Sequence, residues 1–162
     1  MPEAYGIIII KSNEAINNKF IKEGDVRGAT LDLIEFAGLD SKVAKSMDFD
    51  CGEISQDSGY LSIDPSQQEW VKLALYLGKK GENIEIYART EDEYGQGVIV
   101  ALDKHGNRFN FIYQGECDEM EDEDFDEDAY EESINSKTKE WEAMVPNQVK
   151  ASFPSLIPSD EE

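Results

Sequence analysis

Apolar and polar residues alternate along this chain with two periods, and each period predicts one kind of element. Ala4 to Lys11 holds an unbroken isoleucine run, Ile7 to Ile10, between polar ends. Such a run suits a strand buried on both faces. Ser12 or Asn13 offers an N-cap for a short helix reaching Lys22, with Ile16 and Phe20 on its inner side. Gly24-Asp25 breaks that helix. From Ala29 to Ser46, the residues Leu31, Ile34, Leu39 and Val43 predict one or two short helices, interrupted at Gly38. The pattern then weakens from Asp48 onward, where Tyr60 to Ile63 reads as a strand after a Ser58-Gly59 turn.

The clearest helix follows. Ser66 and Glu69 have capping-box spacing behind Pro65, and Trp70, Leu73, Ala74 and Leu77 form one apolar stripe. Gly78 and Gly81 end it. Next come three alternating segments: Ile84, Ile86 and Ala88, then Val98, Val100 and Leu102, then Phe109, Phe111 and Tyr113. They predict a meander of strands, with Lys104-His105-Gly106-Asn107 as a hairpin turn. The Glu91 to Gly97 connection is longer and is expected to be mobile. Ala129 to Val145 reads as a last helix, with Tyr130, Ile134, Trp141 and Met144 roughly on one side and Pro146 as its stop. Pro154, Pro158 and the acidic end Asp160-Glu161-Glu162 predict fraying beyond it.

These elements predict an α+β fold: a single domain with a mainly antiparallel sheet of four to five strands and helices packed on one face. Ile84, Ile86, Val98, Val100, Leu102, Phe109 and Phe111 are expected in or near the core, and Trp70 and Trp141 are expected there as well. The chain divides into an α+β core over 1–115, an acidic segment over 116–132, and a C-terminal helix and frayed tail over 133–162 belonging to the same domain.

Charge changes this picture. The 162 residues carry 36 Asp plus Glu against 15 Lys plus Arg, a formal net charge of -21. It is unevenly placed: residues 116–132 (ECDEMEDEDFDEDAYEE) hold 12 acids and no base, while residues 1–115 carry a net of only -7. With 40% hydrophobic residues the chain has enough apolar matter for a core, so it is not a wholly disordered acidic protein. A field of this sign repels nucleic acid and anionic membranes. The start lacks a basic n-region and a small-residue cleavage site, and its apolar run is too short to span a bilayer. The expected compartment is the cytoplasm, with a bacterial or phage source. Cys51 and Cys117 are expected to be free thiols, although one disulfide between them is open.

Sequence motifs nominate little chemistry. His105 is the one histidine, in a turn, where a solvated surface role is expected and no partner for general-base work is evident. There is no GxxxxGK[ST] loop, no GxGxxG after a strand and no CxxC or HxxxH spacing. Acids are abundant enough that carboxylate pairs of glycosidase type arise by chance. Asp122, Asp124, Asp126 and Asp128 alternate as in a calcium loop. The sixth and twelfth positions, however, fall on Glu127 and Ser133, or on Ala129 and Asn135, where an EF-hand needs Gly and Glu. The reading therefore expects no enzyme activity, no cofactor and no metal site.

What remains is binding. Met120, Phe125 and Tyr130 punctuate the acidic run, and apolar anchors amid steering charge suit a contact surface. The expected contact residues are Asp118, Glu119, Glu121, Asp122, Glu123, Asp124, Asp126, Glu127 and Asp128, supported by Phe125 and Tyr130. The partner expected is a basic protein, a nuclease toxin domain above all, with this chain as its immunity protein. The alternatives are a DNA mimic blocking restriction or CRISPR machinery, and a chaperone-like module for basic proteins.

Overall fold

The isoleucine run forms the middle of a sheet. In β1 (Ala4–Lys11), Ile8 and Ile10 point to one face and Ile7 and Ile9 to the other, and Ile8, Ile9 and Ile10 are all buried. A strand covered on both sides has no polar face to show, which is why the run is unbroken. The computed structural model describes residues 4–44, 53–65, 68–92, 96–113 and 127–156; of residues 4, 43, 44, 68, 92, 127–130 and 155 it describes the backbone alone.

Around β1 lie β2 (Ile54–Asp57), β3 (Tyr60–Ile63), β4 (Glu85–Asp92), β5 (Gly97–Leu102) and β6 (Arg108–Tyr113). They make one six-stranded sheet in the order β2-β3-β1-β4-β5-β6, with every neighbouring pair antiparallel. The fold is α+β, as the pattern predicts, with six strands where four or five were expected. The strand missing from the sequence reading is β2. Its segment, Ile-Ser-Gln-Asp, holds one apolar residue on an exposed sheet edge, so it has no alternation to detect.

The first face is covered by α1 (Glu14–Ile21), α2 (Val26–Phe36) and α3 (Gln68–Lys80). Asn13 caps α1 by accepting from the Ile16 amide at 2.8 Å, and Asp25 caps α2 by accepting from the Gly28 amide at 3.0 Å. Ser66, the proposed cap of α3, lies outside the described residues. Ile8, Ile10, Leu61, Ile63, Ile86, Ala88, Val98, Val100 and Leu102 from the strands meet Phe20, Leu33, Trp70, Leu73 and Leu77 from the helices. Arg108 closes the end of α3, donating to the Gly78 carbonyl at 3.1 Å and to the Gly81 carbonyl at 2.6 Å.

Helices cover the second face too, which the one-faced expectation did not include. Here α4 (Glu127–Met144) and α5 (Asn147–Ser152) pack on Ile9, Tyr60, Tyr87, Ile99 and Ala101 through Trp141, Val145, Val149, Phe153 and Leu156. All six residues of β5 are buried, so the alternation read there as one-sided belongs to a strand in the centre of three layers. Phe109 and Phe111 turn to this second face and are half-buried beside that cluster, apart from the first core that takes Ile84, Ile86 and Val98. Beyond Pro146, where fraying was expected, α5 and a 3-10 turn at Pro154–Leu156 are held down by burial of Val149 and Leu156. The Arg89 side chain adds a hydrogen bond to the Leu156 carbonyl at 2.9 Å.

Candidate functional site

Most of the contact residues named from the sequence fall outside the described residues: Asp118, Glu119, Glu121, Asp122, Glu123, Asp124, Phe125 and Asp126. Met120, Cys51, Cys117 and residues 93–95 of the Glu91 to Gly97 connection lie outside them as well. Glu127, Asp128 and Tyr130 belong to the start of α4. The described residues fix where the acidic segment leaves and re-enters the body. It leaves from Tyr113, paired with Gly97 at the end of edge strand β6. It returns in α4, which packs on β5 and β6. Glu131 and Glu132, the last acids of the segment, are exposed on that helix. Helical backbone from Glu127 onward also leaves no calcium-loop geometry for residues 127–133.

A second feature is a cleft at the opposite end of the sheet, which sequence reasoning missed. Its floor is Glu85, only 8% exposed. The Glu85 Oε1 accepts from the Tyr60 hydroxyl at 3.1 Å and from the Tyr87 hydroxyl at 2.9 Å. Burial, reinforced by the Glu85 charge, pushes the Tyr60 phenol up to about 12. The same causes push the more deeply placed Tyr87 higher still. Both phenols therefore stand as neutral donors to one carboxylate oxygen.

Lys11 faces Glu85 directly across β1 and β4, but its ammonium lies over the Tyr60 ring, 5.1 Å from the centroid. The β5–β6 turn forms the rim. There Asp103 Oδ1 accepts from the His105 amide at 2.9 Å and the Asn107 amide at 3.0 Å, and Oδ2 accepts from the Asn107 side chain at 3.1 Å. Partial burial opposes ionisation of Asp103, but those hydrogen bonds outweigh it and hold the carboxyl below its ordinary value. Lys104 and His105 project from this turn, exposed as expected for the histidine. Met144, Pro146 and Gln148 supply the opposite wall, and the cleft measures about 530 Å³. Gln148 is oriented by donating to Ser58 Oγ at 3.1 Å and to Ser152 Oγ at 2.9 Å.

The signal for Glu85 was present in the alternation. In Glu-Ile-Tyr-Ala-Arg, residues Glu85, Tyr87 and Arg89 share the face opposite Ile84, Ile86 and Ala88, and an expectation of helices on one face alone gave Glu85 no reason to be buried. Among the described residues no group of three His, Cys, Asp or Glu is placed to hold a metal ion, and no helix is long and apolar enough to cross a membrane. No family model, curated protein or solved structure matches the chain.

Proposed function

We propose that this protein works by capturing a basic macromolecular partner on the acidic surface of residues 116–132, as an immunity protein captures a nuclease toxin. The observation that carries the reading is charge placed between two fixed points. Twelve acids and no base fall within residues 116–132, a stretch that follows β6 and runs into the first turns of α4, both packed into one body. A tethered patch of one sign accelerates encounter with an opposite patch, to ~10⁸–10⁹ M⁻¹s⁻¹ at low salt. Fast capture is what protection from a toxic nuclease demands. Carboxylates would fill the basic groove that otherwise holds phosphates, while Phe125 and Tyr130 supply apolar contact that outlasts the encounter.

The test replaces Asp118, Glu119, Glu121, Asp122, Glu123, Asp124, Asp126, Glu127 and Asp128 by Asn or Gln. The expected variant keeps the wild-type circular dichroism and melting behaviour and associates with the captured partner about ten to a hundred times more slowly at low salt. Unchanged association rate and affinity would refute the assignment.

A further inference from the structure

We propose that the cleft over Glu85 binds a small zwitterion of the amino-acid class, taking its cationic group at Glu85 and its anionic group at the Lys11 and Lys104 side. Glu85 is held on one side only. Its Oε1 is held by the hydroxyls of Tyr60 and Tyr87, whereas its Oε2 receives no hydrogen bond from the described residues. The Glu85 residue is nine-tenths buried, but its Oε2 is not among the buried oxygens left without a partner: it opens to the cleft, where water or a ligand meets it.

The chain's own nearest cation does not meet it. Lys11 is the cross-strand partner of Glu85, yet it makes no ion pair among the described residues and lies instead over the Tyr60 ring. Lys104 on the turn likewise has no ion pair among the described residues. Asp103, also on the cleft lining, makes no ion pair with either lysine among the described residues; its oxygens accept from His105 and Asn107. The cleft thus presents the Glu85 acceptor at its floor, and two lysines with the Asp103 carboxylate along its rim.

Those signs select the ligand. A simple amine would satisfy Glu85 and be repelled by the lysines; a simple carboxylate would satisfy the lysines and be repelled by Glu85. A molecule carrying both charges a few bonds apart satisfies both. The cleft, at about 530 Å³, has the size of a small-molecule pocket, ordinarily roughly 300–1,000 Å³. The Tyr60 and Tyr87 rings give it rigid apolar walls, and the hydroxyls that orient Glu85 preorganise its acceptor.

Of the acidic segment's described residues, Glu127 lies about 26 Å and Glu132 about 18 Å along α4 from Met144, which lines the cleft. The cleft's own residues are none of those neutralised in the partner-capture test, so the two proposals fail by different measurements.

The experiment is an amide-resonance titration of the full chain with the free L-amino acids, and with propylamine and propionate as single-charge controls. The expected result is saturable shifts at Tyr60, Glu85, Tyr87 and Lys104 with at least one amino acid, and at least tenfold weaker binding of both controls. Glu85→Gln, which keeps an acceptor for the tyrosines, should weaken binding at least tenfold. Lys104→Met, an exposed change that leaves the fold alone, should weaken it several-fold. The variant neutralised at residues 118–128 should bind as wild type. The proposal is overturned if no amino acid gives saturable shifts up to about 10 mM. It is equally overturned if a control binds as well as the best amino acid, or if Lys104→Met leaves affinity unchanged.

Discussion

The indole of Trp141 donates its Nε1–H to the carbonyl of Val100 at 2.8 Å, with the ring wholly buried. This bond joins the helix that follows the acidic segment to a central strand of the sheet. It fixes α4 in rotation and height, because one donor on a rigid bicyclic ring must reach one carbonyl.

Trp141→Phe should therefore cost more than its lost volume. A buried hydrogen bond disappears and a small cavity opens, together about 2–3 kcal/mol. Melting should fall by about 4–12 °C, at about 2–4 °C per kcal/mol for a chain of this size. A fall of under one degree would show that α4 is not pinned there.

High pH should weaken the fold through the phenols at Glu85. The Tyr60 phenol is raised from its ordinary 10 to about 12 in the folded chain, so the folded state holds that proton more tightly than the unfolded one. The stability it contributes is complete below pH 10 and declines as pH rises from 10 toward 12. Tyr87 acts in the same direction. Urea midpoints measured across this range should stay level and then drop, and the double change Tyr60→Phe with Tyr87→Phe should flatten the drop. A wild-type midpoint that holds to pH 12 would contradict the arrangement.

The rim of the cleft depends on Asp103. Asp103→Ala removes the acceptor for His105 and Asn107 and should cost about 1–2 kcal/mol, while Asp103→Asn, which keeps one oxygen, should cost less. Amide hydrogen exchange at His105 and Asn107 should accelerate in the alanine variant. Exchange that stays at wild-type rates would mean the strands alone hold the turn.

Gly6 is the tight point of β1. It has φ +124, and a Cβ there would lie 2.1 Å from the Arg89 carbonyl oxygen. Gly6→Ala should destabilise by about 2–4 kcal/mol, combining backbone strain with displacement of β4. Retention of wild-type stability in a urea titration would show that the strand pair can separate freely.

How much of this was legible depends on where each residue's partner lies. The short-range signals held: Asn13 at its cap, the Trp70 stripe on α3, and a strand at Val98 to Leu102. These depend on residues three or four apart, or on every second residue. What escaped was set at long range. The second layer of helices exists because Ile9, Tyr87, Ile99 and Ala101 need cover, and that need appears only when the strands are side by side. Glu85 escaped for the same reason, since its tyrosines sit at positions 60 and 87 and the strand pairing brings Tyr60 to it. The acidic segment was the easiest feature to read, because composition alone reveals it.

The most direct test of the central claim is capture from the native host at low and at high salt, with the retained proteins identified by mass spectrometry. The account predicts one basic nuclease or toxin domain that stays bound at high salt and is lost from the neutralised variant. A broad set of basic proteins, all released by moderate salt, would contradict it and reduce the acidic segment to a polyelectrolyte.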